Sequence, residues 1–267
     1  MSPITPRQGA VAEVGRSAAK WFVGWWRIIR LGAWLLALSL SRSSYSRPYR
    51  ASLLHQIYLG TAPNLLWFAV LSALLSLVLI RIVLVTALSY GLSQFALETV
   101  VRVLVLELIP LTTALFVALQ CTIPQSAEIA AMRSRGELDS LGSQGIDPLQ
   151  REVLPRALAG VFAVVTLASV SCVLTLVLAY VSVYGFTRWG FEAYTHTVGQ
   201  IFNSAVAVIF VLKIALMSLA VSLIPVGSVL YDAGRARSRA SAEMRGLVRM
   251  FLVILMIEAA SLVGNYY

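Results

Sequence analysis

The stretch Leu106-Glu107-Leu108-Ile109-Pro110-Leu111-Thr112-Thr113-Ala114-Leu115 decides how the rest of the chain is read. It places a carboxylate and a proline inside a long apolar run. An ionisable group in such a run is costly and is by default a functional candidate. The run continues through Ser126-Ala127-Glu128-Ile129 into a polar segment, Gly136-Glu137-Leu138-Asp139-Ser140-Leu141, then Asp147-Pro148-Leu149, and closes at Arg156. A buried acid followed by a short, charged, helix-capable loop predicts a membrane machine with a docking handle.

Composition places the whole chain in that setting. The 267 residues are 59% hydrophobic and 12% charged, against about 25% charged in a soluble domain. That composition predicts an integral membrane protein. The net charge of +9 would suggest nucleic-acid binding in a soluble protein. Here the positions of the arginines carry the information, and no nucleic-acid partner is expected. Cys121 and Cys172 both lie in apolar runs and read as small buried hydrophobes.

A spanning helix needs ~20 apolar residues. Five stretches qualify, at 64–90, 97–130, 156–184, 200–229 and 247–265. The second exceeds one crossing, so its end should project into water or break near Pro124. Before them, Trp21 to Leu40 sets Trp21, Trp25 and Ile28 on one helical face and Lys20, Arg27 and Arg30 on another. That pattern suits a helix in the membrane interface. A cleaved signal peptide is the rival reading, but no small-residue cleavage site follows. Residues 1–50 are therefore an N-terminal segment with an interfacial helix, and 51–267 form the membrane domain. The fold class is an all-α integral membrane protein with five spans. A short helix on the cytoplasmic side joins spans two and three.

Arginines alternate between connections. Arg42, Arg47 and Arg50 precede the first span; Arg133, Arg135, Arg151 and Arg156 follow the second; Arg235, Arg237, Arg239 and Arg245 follow the fourth. The other two connections hold Arg188 alone. Basic loops stay in the cytoplasm, which predicts a cytoplasmic N-terminus and an outer C-terminus. The loop at 185–200, with Phe186, Trp189, Phe191 and Tyr194, suits a short helix at the outer interface or an aromatic belt.

The ionisable groups that stand out within the spans are Arg81, Glu98, Arg102, Glu107, Lys213 and Glu258. Glu98 and Arg102, four apart, read as a local helix pair. Arg81 and Glu107 both lie about 14 Å below the outer surface at the usual helical rise, which predicts an Arg81–Glu107 pair. The pair serves either stability or transport. Lys213 and Glu258 come out at depths differing by roughly 9 Å, so direct pairing needs shifted span ends; otherwise they line a polar cavity. The chain has only His55 and His196 as histidines, and no nucleotide-binding glycine loop. No metal site, cofactor or enzymatic activity is expected of it, and any ATP and magnesium would sit on a separate ATPase.

Leu138 and Leu141 share one face of the loop segment, with Glu137, Asp139 and Ser140 around them and Gly142 at its end. Together with the run from Glu107 to Leu115, the positions Pro110, Glu128, Asp147, Pro148 and Arg156 resemble the MlaE-type permeases, membrane subunits of MCE-associated ABC lipid transporters. Gln56, Tyr58-Leu59, Tyr90-Gly91, Lys213 and Tyr231-Asp232-Ala233 are similar to further family positions. The resemblance spans 50–265. It implies a homodimer in a bacterial inner membrane, with a heterodimer as the alternative. Glu137 to Leu141 would be the coupling helix on a cytoplasmic ATPase, and a cavity would hold phospholipid beneath a periplasmic MCE-domain protein. A small STAS-type subunit is a further partner the resemblance suggests. Glu107, Arg81, Lys213 and Glu258 would line the lipid path. The chain departs from the family at Leu106, where an arginine is usual, and at Ala118-Leu119-Gln120-Cys121-Thr122, where small glycines are usual. An ion-coupled transporter or channel, or a membrane scaffold that moves no lipid, remain the alternative functions.

Overall fold

The computed structural model describes residues 23–35, 37–38, 47–232 and 239–266. Lys20, Trp21, Arg42, Ala233, Arg235 and Arg237 lie outside the described residues, as do the side chains of Arg47, Arg50, Arg188, Asp232 and Arg239. Among the described residues there are helices and no strands. Five helical stretches are long and apolar enough to cross a membrane: Ser52–Ser89, Phe95–Ser134, Leu149–Tyr184, Ser204–Tyr231 and Met244–Asn265.

Helix α1, residues 23–35, precedes them. Its buried face is Gly24, Ile28, Leu31, Gly32 and Leu35, the three-and-four spacing of one helical side. This face seats on α9 (Ser204–Asp232): Ile28 packs at Gly227, and Gly32 meets Leu223. Trp26 and Trp34 on the other side are exposed. The aromatic residues thus divide between bundle and surroundings.

Helix α2, Arg47–Ser89, runs unbroken for 43 residues, about 65 Å at the normal rise against a hydrocarbon core of about 30 Å. It begins well before residue 64, where hydropathy alone places the first span. Pro63 lies inside it. A proline removes one amide without ending a helix whose neighbours support it.

The second span is a rod of five pieces: α3 (Ser93–Val100), a π-helical segment (Val101–Leu108), α4 (Ile109–Val117), a second π segment (Ala118–Thr122) and α5 (Ile123–Ser134). The expected break near Pro124 is replaced by the second π turn, and the same device recurs. Pro110, Pro124 and Pro155 are each the second residue of an α segment that follows a π segment, the third pair being Leu149–Val153 and α7 (Leu154–Tyr184). In each case the residue before the proline donates its amide to the carbonyl five positions back: Ile109 to Leu104, Ile123 to Ala118, Leu154 to Leu149. A proline clashes with the carbonyl four back and cannot bond it. The wider turn moves the ladder around that conflict, so each span stays continuous.

Helix α6, Glu137–Ser143, follows Gly136, whose φ of +73° suits glycine. It includes Gly142 and runs to Ser143, with Gln144 as its C-cap and Gly145 the left-handed residue that follows. Asp147 Oδ1 accepts the Leu149 amide at 3.0 Å, so Asp147-Pro148-Leu149 starts the third span. On the opposite end lies α8 (Phe191–Ile201); the last crossing is α10 (Arg239–Tyr266). Tyr194 on α8 is buried, donates to the Leu176 carbonyl at 2.8 Å, and stacks edge-on against Tyr180 and Tyr184. Burial pushes its phenol up to about 12, with Tyr184 adding to the shift.

Close packing inside the bundle comes from small residues on α7. Gly160 is the tightest: a Cβ there would meet Ser222 Oγ at 2.6 Å and Thr122 Cγ2 at 2.9 Å. Ala159, Ala163, Ala168 and Ser171 on α7 are wholly buried, and this is how helices approach closely where water gives no hydrophobic drive.

Candidate functional site: a lysine held by two carboxyls at an apolar groove

Pro110 prepares the site. It has no amide hydrogen for the carbonyl four residues back, Leu106. That carbonyl accepts instead from Lys213 Nζ at 3.0 Å. The neighbouring Glu107 Oε2 also accepts from Lys213. The opening motif therefore supplies a side-chain acid and a backbone acceptor side by side, and a lysine from α9 fills both.

Helix α10 closes the other side. Glu258 Oε2 lies 3.0 Å from Lys213 Nζ, off the direction for a hydrogen bond, since that oxygen has no hydrogen-bond partner. Asn265 donates to Glu107 Oε1 at 3.1 Å and to Ser261 Oγ at 3.5 Å. Lys213 is 2% exposed. Taking such charges out of water costs several kcal/mol each, so removing one partner typically costs about 3–5 kcal/mol. Two carboxyls surround one ammonium, so the cluster carries more acid than base.

The lysine stands at the edge of a groove of about 600 Å³ between α9, α10 and α1. Its walls are Trp25, Leu212, Leu216, Val253, Met256 and Ile257, with Lys213 and Ser261 the polar lining. Such a volume suits a ligand of some tens of heavy atoms. The shape and chemistry fit an alkyl chain with a polar end near Lys213.

The predicted Arg81–Glu107 pair does not form. Arg81 is exposed on α2, and among the described residues it makes no ion pair. The face α2 turns to the second span is that of Ile80, wholly buried against Val100 and Leu104. Arg81 points about 100° away around the helix. Equal depth along two helices does not imply a shared direction around them. Lys213 and Glu258 meet because the span ends do shift. Lys213 lies nine residues from Ser204 and Glu258 eight from Tyr266, so the two are level to within about 2 Å. The local pair of Arg102 with Glu98, at 2.9 Å, is present.

Sequence reasoning passed over Ser261, Asn265 and Arg249. A signal existed for the first two, since Glu258, Ser261 and Asn265 follow three-then-four spacing on one face of α10. Arg249 is buried deeper along the same helix. Gly24 leaves its guanidinium room; a Cβ there would meet Nη2 at 2.9 Å.

At the other end, Arg156 is buried and donates to Glu152 Oε2 at 2.6 Å and to its carbonyl at 2.9 Å. Glu128 on α5 lies 3.7 Å from the same guanidinium with its carboxylate mostly exposed. Leu138 of α6 packs with the cluster of Ile129, Leu154, Val226 and Val229. Glu137 pairs with Arg135 at 2.5 Å on the surface, a contact worth little by itself. Asp139 and Ser140 are exposed and Leu141 is half-buried.

These features define a multi-pass α-helical membrane protein with a buried charge cluster beside an apolar groove and a short polar helix at one end. The chain belongs to the Permease MlaE family, whose sequence profile matches residues 53–263. No curated protein matches the chain.

Proposed function

We propose that the chain is the permease subunit of an ABC-type transporter that moves phospholipid between a bacterial inner membrane and a periplasmic MCE-domain partner. The observation that carries this reading is Lys213, held by Glu107 and Glu258 at the edge of an apolar groove in a chain of the Permease MlaE family. In this reading an acyl chain lies along Leu212, Leu216, Val253 and Met256, and the headgroup phosphate approaches Lys213. A lysine attracts phosphate as a point charge, and the two carboxyls supply a competing partner, so the lipid is held weakly enough to leave.

The chain lacks a nucleotide loop, and a separate cytoplasmic ATPase supplies the energy, docking at α6. The N-terminus is cytoplasmic and the C-terminus periplasmic, as the arginine alternation indicates. A second permease subunit, most simply another copy, completes the cavity. Arg81, turned outward on α2, belongs to the surface that meets lipid or that second subunit rather than to the lysine cluster. A STAS-type subunit is a further component of the proposed assembly.

The excess carboxyl in the cluster favours one other reading, an ion-coupled transporter, because buried acids in spans also build proton paths. Purification from membranes followed by lipid extraction separates the two. The permease reading expects a co-purifying ATPase and bound phospholipid, with phospholipid transfer dependent on ATP. Transport driven by an ion gradient with no ATPase present would replace it with the second reading.

A further inference from the structure

The end of α5 is tied to the end of α9 by one side chain. Arg133 lies in the last turn of α5, and its Nη1 donates to the Val229 carbonyl at 3.1 Å and to the Leu230 carbonyl. Those carbonyls belong to the last turn of α9 as described. A backbone carbonyl has two lone pairs, so each can accept from a guanidinium beside any helical bond it makes. The contact crosses 96 residues of sequence and is not a product of local helix geometry.

Its location gives it consequence. Gly136, three residues after Arg133, opens α6 with a left-handed turn, so there is little slack between the tie and the short polar helix. Leu138 of α6 packs in the same apolar cluster as Val226 and Val229, the α9 turn that Arg133 grips. Helix α9 in turn carries Lys213, sixteen residues or about 24 Å up the helix from Val229. Between them sits Pro225, inside α9, where the missing amide leaves one ladder bond unmade. Helix α7 holds the other flank of α5 through Arg156 and the exposed carboxylate of Glu128, at 3.7 Å. That contact is long, whereas Arg133, though also exposed, donates directly to the Val229 carbonyl at 3.1 Å.

We infer that Arg133 is a positioning residue that transmits displacement of α6 to the end of α9, and through α9 to the Lys213 cluster. This inference rests on the permease reading, in which α6 is where an ATPase pushes. The guanidinium touches no substrate and acts only through the α9 carbonyls. A push on α6 moves α5 and Arg133 together. The lower turn of α9 follows, and the unmade bond at Pro225 lets that shift become a tilt of the segment bearing Lys213.

The test uses the full chain reconstituted in vesicles with the ATPase that co-purifies with it. Three quantities are read, with and without ATP: ATP hydrolysis, transfer of a fluorescent phosphatidylethanolamine, and maleimide labelling of Ala260→Cys, a position that lines the groove on α10. Arg133→Ala should leave hydrolysis within about twofold, abolish the ATP-dependent change in labelling and lower transfer about tenfold, the scale of an ordinary coupling between sites. Arg133→Lys, which keeps a cationic donor for the carbonyls, should restore most of both. Arg133→Ala that still shows the labelling change, that loses the ATPase altogether, or that Lys cannot rescue would overturn the inference. If the unsubstituted chain responds to ATP in labelling but transfers no phospholipid, the permease reading falls while the tie stands.

Discussion

Lys213 and Arg81 are two cations at comparable depth in the bundle with opposite circumstances. Lys213 is enclosed by Glu107, Glu258 and the Leu106 carbonyl. Arg81 stands exposed among outward-facing apolar residues of α2, with Leu74, Val78, Ile82 and Val85 near it on the helix. The difference is one of direction around the helix, and it separates a charge used inside the protein from one offered to its surroundings. A cation that has gathered two acids and a carbonyl is part of a device. A cation with none serves whatever lies against that face.

The sharpest way to break this contrast is to remove the enclosed charge. Lys213→Met leaves two carboxyls facing each other and should cost about 3–5 kcal/mol, read as a lowered unfolding temperature in nanodiscs. Adding Glu107→Gln and Glu258→Gln to Lys213→Met should recover a large part of that loss. A Lys213→Met protein as stable as the original would dissolve the distinction from Arg81.

Within the cluster, Glu107 should matter more than Glu258, because only Glu107 takes a hydrogen bond from the ammonium and another from Asn265. Glu107→Gln is expected to cost about 1.5–3 kcal/mol, the worth of a charged hydrogen bond, and Glu258→Gln less. The reverse order by thermal unfolding would mean that Glu258 is the main counter-charge.

Pro110→Ala refines the comparison further. The new amide competes for the Leu106 carbonyl, so Lys213 loses an acceptor while the helix gains a bond. Stability should change by less than about 1 kcal/mol, whereas the transfer rate should fall. Unaltered transfer would make the proline a packing feature only. Smallest of all, Arg81→Leu should move the stability of the isolated chain by no more than about 0.5 kcal/mol, as at other surface positions. A loss as large as that of Lys213→Met would show that Arg81 has a buried role.

Much of this was legible in the sequence. Five apolar runs and the charge on Glu107 gave the spans and the first member of the cluster, because length and hydropathy report directly on membrane crossing. Glu137 to Leu141 announced α6 by its spacing. The counter-charge was not legible in the same way. Depth along a helix is a matter of counting, but direction around it depends on which neighbour packs on which face, and Ile80 rather than Arg81 won the inner side of α2. Lys213 and Glu258 looked mismatched because hydropathy placed the span ends several residues from where the helices start and stop. The π turns before Pro110, Pro124 and Pro155 change the local direction of side chains as well, and α-helical periodicity alone does not anticipate them. Arg133 was visible only as a basic loop residue; its partners are backbone carbonyls about a hundred residues away, which no side-chain pattern encodes.

In the proposed permease, Lys213, restrained by its two carboxyls, is the headgroup contact of a lipid groove. Native mass spectrometry of the purified complex tests it most directly, comparing the original chain with Lys213→Met carrying Glu107→Gln and Glu258→Gln, which preserves a balanced, foldable core. Phospholipid should be bound to the first and about tenfold less to the second, equal to the loss of one favourable contact of about 1.4 kcal/mol. Equal phospholipid on both would contradict that role for Lys213.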